Sequence, residues 1–332
     1  VHVFLKKLIT LFGLLLMMMA GQIAAAQSCE NPGPVSARGE QLAQLARAEY
    51  AQFNGHRIDA QGRLWKFGNV ETETERLADG QPDDRYAWRR VWHYWETLDK
   101  HAPGTLDTRR VTWAEGLLDD PAQAGRSHLT TLAEIFAKLP KDADPATQEM
   151  LREALVRATI SDTPWSAAFI SYLMDRAGLS EQEFRYASAH AVYIRPALEG
   201  QEGYAYRACD LRRSTPRVGD LICYGRAARP LRNFADWQTH AGELDSRVKS
   251  HCDLVIQVDL DTRKMESMGG NVEQSVTWRR MMLDGEGHLS TRHLMGGNAR
   301  TQGPNGRACS GDPSCQKSDL NLQYWGILLQ LR

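Results

Sequence analysis

Apolar positions set the first element. Leu42, Leu45, Ala46, Tyr50 and Phe53 recur at helical spacing until Asn54-Gly55 breaks the pattern. Residues 58–67 alternate around Asp59 to Gly62, which predicts a small hairpin. Residues 83–99 carry Tyr86, Trp88, Val91, Trp92, Tyr94, Trp95 and Leu98, a helix whose aromatic stripe belongs to the core. Residues 100–127 read as a loop with a short helix. Helices are predicted near 128–138 and 145–158, divided by Pro140 and the turn Lys141–Pro145. A buried helix over 164–178 follows, with Thr163 as N-cap, Pro164 at the first helical position and Gly178 as its stop. The chain then turns strand-like at 220–224, 253–259, 264–268, 272–278 and 324–331. Helices first and strands later predict an α+β fold.

The first residues combine Lys6 and Lys7, an apolar run from Leu8 to Ala20, and Ala24-Ala25-Ala26 before Gln27. That order predicts a secretory signal over 1–26, cleaved after Ala26, and a periplasmic or secreted protein. An uncleaved anchor and a lipoprotein through Cys29 are the alternatives, and Gln27 fits poorly before a lipidated Cys. No later run is apolar enough for a membrane span, so no membrane contact is expected after cleavage. Losing Lys6 and Lys7 takes the formal charge from −1 to −3, which offers no nucleic-acid footprint. The six cysteines of an exported chain suggest disulfides. Cys223 with Cys252 on adjacent strands, and Cys309 with Cys315 around a turn, are the expected pairs; Cys29 and Cys209 are a possible third. Residues 27–82 are expected to form a helix-and-hairpin appendage without catalytic groups, ahead of a main domain over 83–332 with a helical insertion at about 100–158.

Candidate chemistry gathers after Asp162. Ser166 falls in the first turn of the 164–178 helix, where backbone N–H groups lack intrahelical partners. Those donors, around Trp165 and Ala167, and the helix dipole can hold an oxyanion. His251 stands at the mouth of a strand and could act as base, with Asn271 orienting it. Asp253 is an alternative orienter and His190 a second candidate base. Each also has a bland reading: Ser166 as a first-turn serine bonding a free N–H, His251 as a satisfied strand-end histidine, and Asn271 as a turn residue. His251, Asp253 and His190 have no recognised metal-ligand spacing, and no metal or cofactor is expected.

Pro164-Trp165-Ser166-Ala167-Ala168-Phe169-Ile170-Ser171, the turn Gly219-Asp220, His251 and Asn271 occur in an order that resembles the CHAP and NlpC-type cell-wall amidases. The closest resemblance is to an uncharacterised bacterial domain family related to them, over roughly residues 85–332. It includes the stretch His190 to Tyr193, without a role for it. The resemblance implies a papain-like domain: a buried helix carries the nucleophile and packs on a small antiparallel sheet, preceded by a helical region. It further implies an amidase- or peptidase-like hydrolase acting on cell-wall (peptidoglycan) peptides, with Ser166 as nucleophile, His251 as base and Asn271 as orienting group. Two positions depart from the pattern. Ser166 replaces the family cysteine, and Gly269 stands where an acidic residue is common. A thiol beside a histidine ionises; a hydroxyl must lose its proton during attack. A non-catalytic peptide-binding module and a serine esterase on another small acyl substrate are therefore the competing readings.

Overall fold

The computed structural model describes residues 29, 33–71, 86–123, 125–226, 231–295 and 319–332. The predicted leader with its cleavage point, Cys309 and Cys315 all lie outside the described residues. Seven α-helices are described: α1 (Ala37–Gln52), α2 (Ala87–His101), α3 (Leu132–Ala137), α4 (Pro145–Asp162), α5 (Ser166–Arg176), α6 (His190–Leu198) and α7 (Phe234–Thr239). The strands are β1 (His56–Ile58), β2 (Leu64–Lys66), β3 (Arg110–Ala114), β4 (Ser127–Thr131), β5 (Tyr206–Cys209), β6 (Leu221–Gly225), β7 (Ser250–Asp259), β8 (Lys264–Val272), β9 (Ser275–Met282) and β10 (Trp325–Leu331). Eight of them form one mixed sheet in the order β2-β1-β9-β8-β7-β6-β10-β5, while β3 and β4 pair as a separate hairpin. The fold is mixed α+β. Among the described residues no helix is long and apolar enough to cross a membrane.

The alternation of β7 divides the interior. Leu254 and Ile256 join a core shared with α1, α2, α5 and α6, whereas Val255 belongs to a second cluster with Met265, Met281, Trp325 and Leu328. The aromatic face of α2 is core as expected: Trp88, Val91, Tyr94, Trp95 and Leu98 are all buried. Gly270 on β8 is needed for close approach, because a Cβ there would lie 2.5 Å from Cβ of Phe169 on α5.

Three expectations change. The helix expected from 128 begins only at Leu132: Ser127–Thr131 form β4 instead, and Thr131 and Glu134 build a capping box that starts α3. Thr163 does not cap the next helix but ends α4, since a residue before proline is pushed to extended backbone and Thr163 has φ −120° and ψ 115°. Trp165 becomes the N-cap of α5 and Ser166 its first residue. Finally, residues 37–71 are not an appendage. β1 adds in parallel to β9 at the sheet edge, α1 packs on β7 and α5, and Leu42, Ala43, Ala46 and Phe53 are fully buried in the main core.

Among the described residues two disulfides are formed, Cys29–Cys209 and Cys223–Cys252, the second between directly opposed residues of β6 and β7. Disulfides of this kind point to an oxidising, non-cytoplasmic compartment. A Cys29 sulfur bonded to Cys209 cannot also carry a thioether-linked lipid.

Candidate active site

The site forms where α5 begins, beside α6 and the entry to β7. Ser166 is 6 % exposed, and its Oγ lies 2.6 Å from Nε2 of His190. The N–H groups of the first turn of α5, the turn that Ser166 opens, have no carbonyl of their own helix to bind. His190 opens α6 and is itself buried; its Nδ1 shares a hydrogen bond with the hydroxyl of Tyr193, one helical turn along. Burial first, and the neighbouring His251 second, push the His190 imidazole well below its ordinary range, so it is neutral. Burial holds the Tyr193 phenol well above its own range, so it keeps its proton.

Which way these bonds run follows from satisfaction. The Tyr193 hydroxyl has only His190 as a hydrogen-bond partner among the described residues and is fully buried. If it donates to Nδ1, then Nε2–H donates to Ser166, and the free O–H of Ser166 faces the cleft. The reverse order leaves the Tyr193 O–H unsatisfied in the core, at a cost of about 1–3 kcal/mol. The resting arrangement is therefore Tyr193 to His190 to Ser166, with His190 Nδ1 as acceptor.

His251 lies behind this chain, its ring centroid 5.2 Å from that of His190. Its hydrogen-bond partner is Asp253, with Nε2 to Oδ1 at 2.8 Å, and not Ser166 or Asn271. Neighbours two apart on a strand meet here because β8 has no side chain in the way. A Cβ at Gly269 would lie 2.0 Å from Oδ1 of Asp253. Arg279 Nε donates to the other carboxylate oxygen at 2.9 Å, and Ser267 Oγ donates to it at 3.1 Å. Burial would raise the Asp253 carboxyl, but Arg279 and His251 outweigh it and hold the group well below the usual carboxylate range. The ionised carboxylate fixes the proton of His251 on Nε2. Its Nδ1 is left as a buried acceptor without a partner among the described residues.

Ser166 is thus brought together with His190 and Tyr193, and His251 with Asp253, Ser267 and Arg279. The base expected for Ser166, His251, is replaced in contact by His190, because docking of α6 puts its first residue against the start of α5. Asn271 sits in the β8 bulge with φ 54° and serves the turn. Asp220 accepts from the N–H groups of Arg217 at 2.7 Å and Leu331 at 2.8 Å, which ties the Gly219-Asp220 turn to β10. Trp165 is fully buried, stacked on Phe53, and donates from Nε1 to Glu71 at 2.7 Å. Tyr193 and Arg279 escaped the sequence reading of the site. The spacing of three from His190 was the available sign for Tyr193; nothing marks Arg279 beyond its place in an alternating strand. Among the described residues no group of three or more His, Cys, Asp or Glu side chains is arranged to hold a metal ion.

Burial pushes the Glu71 carboxyl up to about 7 despite the hydrogen bond from Trp165. Between the unfolded value of about 4.3 and that folded value, the native state keeps a proton the unfolded chain has released, so stability falls as pH rises through this window. Glu71→Gln is expected to flatten that fall. Urea midpoints measured from about pH 4 to about pH 8 check it, and a variant that loses stability as steeply as the parent would contradict it.

An α+β protein with a buried serine–histidine pair at a helix start is the class that fold and site define. A family model matches residues 132–331, that of the family described as "Uncharacterized protein conserved in bacteria (DUF2272)", and the chain belongs to this family. The match starts later than the expected residue 85 and takes in Ser166, His190, Tyr193, His251, Asp253 and Arg279. No curated protein matches the chain, and no solved structure does.

Proposed function

We propose that the chain is an exported, amidase- or peptidase-like acyl hydrolase of papain-like layout, with Ser166 as nucleophile and His190 as its base. The observation that carries this reading is the 2.6 Å contact between Ser166 Oγ and His190 Nε2 at the first residue of α5. Ser166 would attack the acyl carbon while its proton passes to Nε2. The first-turn N–H groups would bind the oxyanion, and His190 would return the proton to the leaving group before water releases the acyl chain. The resemblance to cell-wall amidases makes a cell-wall peptide the expected substrate. His251 and Asp253 would support the site from behind.

Attack requires the less favoured tautomer, with the His190 proton on Nδ1. At about 1–3 kcal/mol, reaching it slows the reaction by roughly 5- to 150-fold. The same observation favours a second reading, a binding module whose Ser166 hydroxyl donates to a bound peptide. A fluorophosphonate probe, with cell-wall sacculi and small esters as substrates, separates the two. The hydrolase reading expects labelling at Ser166, loss of labelling and of turnover in Ser166→Ala, and a loss of at least about 100-fold in His190→Gln. His251→Gln is expected to cost less. An unlabelled Ser166 in folded protein, inert on every substrate, would leave the binding reading. Gain of amidase activity by Ser166→Cys in that inert parent would mark a site that lost its thiol.

A further inference from the structure

A cleft of about 900 Å3 opens over Ser166 and His190. Its walls carry Arg110 from the β3–β4 hairpin, Arg226 just past β6, and Lys249 and Ser250 at the entry to β7. Neither Asp nor Glu occurs among the described residues that line it. Arg110, Arg226 and Lys249 are exposed, and none takes part in an ion pair among the described residues. Some exposed cations elsewhere are paired, Arg195 with Glu199 and Arg247 with Asp245, and others, such as Lys66 and Lys100, stand singly among the described residues, so the cleft is distinguished by the grouping of its cations around Ser166. In a chain of net charge −1, this is a local concentration of positive charge on the side that faces Ser166; Glu243 and Asp245 border only the adjoining hollow on the far side of Arg226 and Lys249. Arg109 and Arg110 border the cleft on the hairpin side, and Arg226 and Lys249 on the side of β6 and β7, next to Ser250. The charge of Arg226 reaches the chemistry, since it helps to keep both His190 and His251 neutral. Among the described residues the buried Ser250 hydroxyl in this wall has no partner, and neither has Nδ1 of the adjacent His251. Buried polar groups without partners are rare and mark places where a ligand or water completes the bonding.

We propose that this cleft binds a carboxylate carried close to the acyl group that faces Ser166, with Arg226 and Lys249 as its anchors and Ser250 as a neutral donor. The ligand class is an acidic peptide or an acyl compound with a free carboxylate. This rests on the reading of Ser166 as the group that faces the acyl carbon. A neutral amide in the same place would leave both cations unmatched, which is the basis of the discrimination.

Thermal melts at constant ionic strength test it, with citrate, N-acetyl-glutamate, the uncharged diamide of N-acetyl-glutamate, and inorganic phosphate as probes. Citrate and N-acetyl-glutamate are expected to raise Tm saturably by about 2–4 °C, and the diamide to leave it unchanged. The shift should vanish in R226Q/K249Q and persist in R280Q, whose arginine is paired with Glu266 and borders neither the cleft nor the hollow beside it. If the double variant does not fold, R226Q alone should weaken the fitted citrate affinity at least threefold. No saturable shift, an equal response to the diamide, or a shift kept by these variants would overturn the proposal. A stronger response to phosphate than to the carboxylates would overturn the carboxylate assignment. The melts are repeated on Ser166→Ala, which needs no turnover, so a failed hydrolase reading leaves their outcome intact. A failed anion response equally leaves labelling of Ser166 as it stands.

Discussion

A chain that begins at Asp83 is expected not to fold cooperatively, although every residue of the candidate site lies beyond that point. The truncation removes α1, β1 and β2. With them go Leu42, Phe53 and Ile58, each fully buried. Burying such a side chain stabilises by about 1.5–3 kcal/mol, so these three alone match a large part of a typical total of about 5–15 kcal/mol. Polar ties are lost as well. Glu49 on α1 accepts from Arg90 Nε at 2.8 Å and from the Tyr94 hydroxyl at 2.6 Å, and Arg90 also reaches the Tyr172 hydroxyl of α5 at 2.6 Å. Without Glu49 the half-buried guanidinium keeps no carboxylate of α1 to balance it. Trp165, the residue before Ser166, loses both the ring of Phe53 and the carboxylate of Glu71. The Cys29–Cys209 bridge, which closes a span of 180 residues, disappears too. Far-UV and near-UV circular dichroism of chains starting at Gln27 and at Asp83 make the comparison. The shorter chain should retain helix signal but show no sharp thermal transition. A cooperative melt within about 5 °C of the longer chain would restore the appendage reading.

There is a physical reason why residues 27–82 read as an appendage, although 37–71 join the core. β1 is three residues long and pairs in parallel with β9, more than two hundred positions away. Neither length nor alternation can reveal such a partner. The long antiparallel run from β7 to β9 is legible because its turns are local and its strands are apolar runs bounded by polar turn residues, although bulges interrupt both pairings. β5 was missed as a four-residue strand, and α6 because it has no side-chain cap and carries Pro196 in its second turn. That omission decided the assignment of the base. His190 could be noticed in the sequence, but only the docking of α6 shows that it meets Ser166. Asp253 was visible as a neighbour of His251, yet the contact depends on the space left by Gly269, and strand periodicity carries no information about that space.

Asp253→Ala is expected to cost about 3–5 kcal/mol, because it leaves the buried Arg279 facing only neutral acceptors. Asp253 and His251 are 0 % and 1 % exposed, and Arg279 is 2 % exposed. Arg279 would keep the Leu320 carbonyl at 2.5 Å and Asn321 Oδ1 at 3.0 Å, which hold the chain that leads into β10 but carry no charge. Arg279→Met should cost a similar amount by leaving the carboxylate without its cation. The double variant should be more stable than either single one, since removing both charges also removes both desolvation penalties. Acid separates this from lost packing. Asp253 has a folded value held below its unfolded value of about 3.9, so its contribution is complete above that value and is lost as pH falls through and below it. The parent should therefore lose more stability than Asp253→Ala between about pH 5 and about pH 2.5. Urea unfolding of all four proteins across that range gives the cycle directly. Additive single effects, together with equal acid sensitivity in parent and Asp253→Ala, would mean that the pair is not the electrostatic centre of the sheet. With the carboxylate gone, His251 is also free to move its proton from Nε2 to Nδ1. A tautomer change in its ring nitrogen resonances, seen in Asp253→Ala and absent from Ser267→Ala, would identify Asp253 as the residue that positions it.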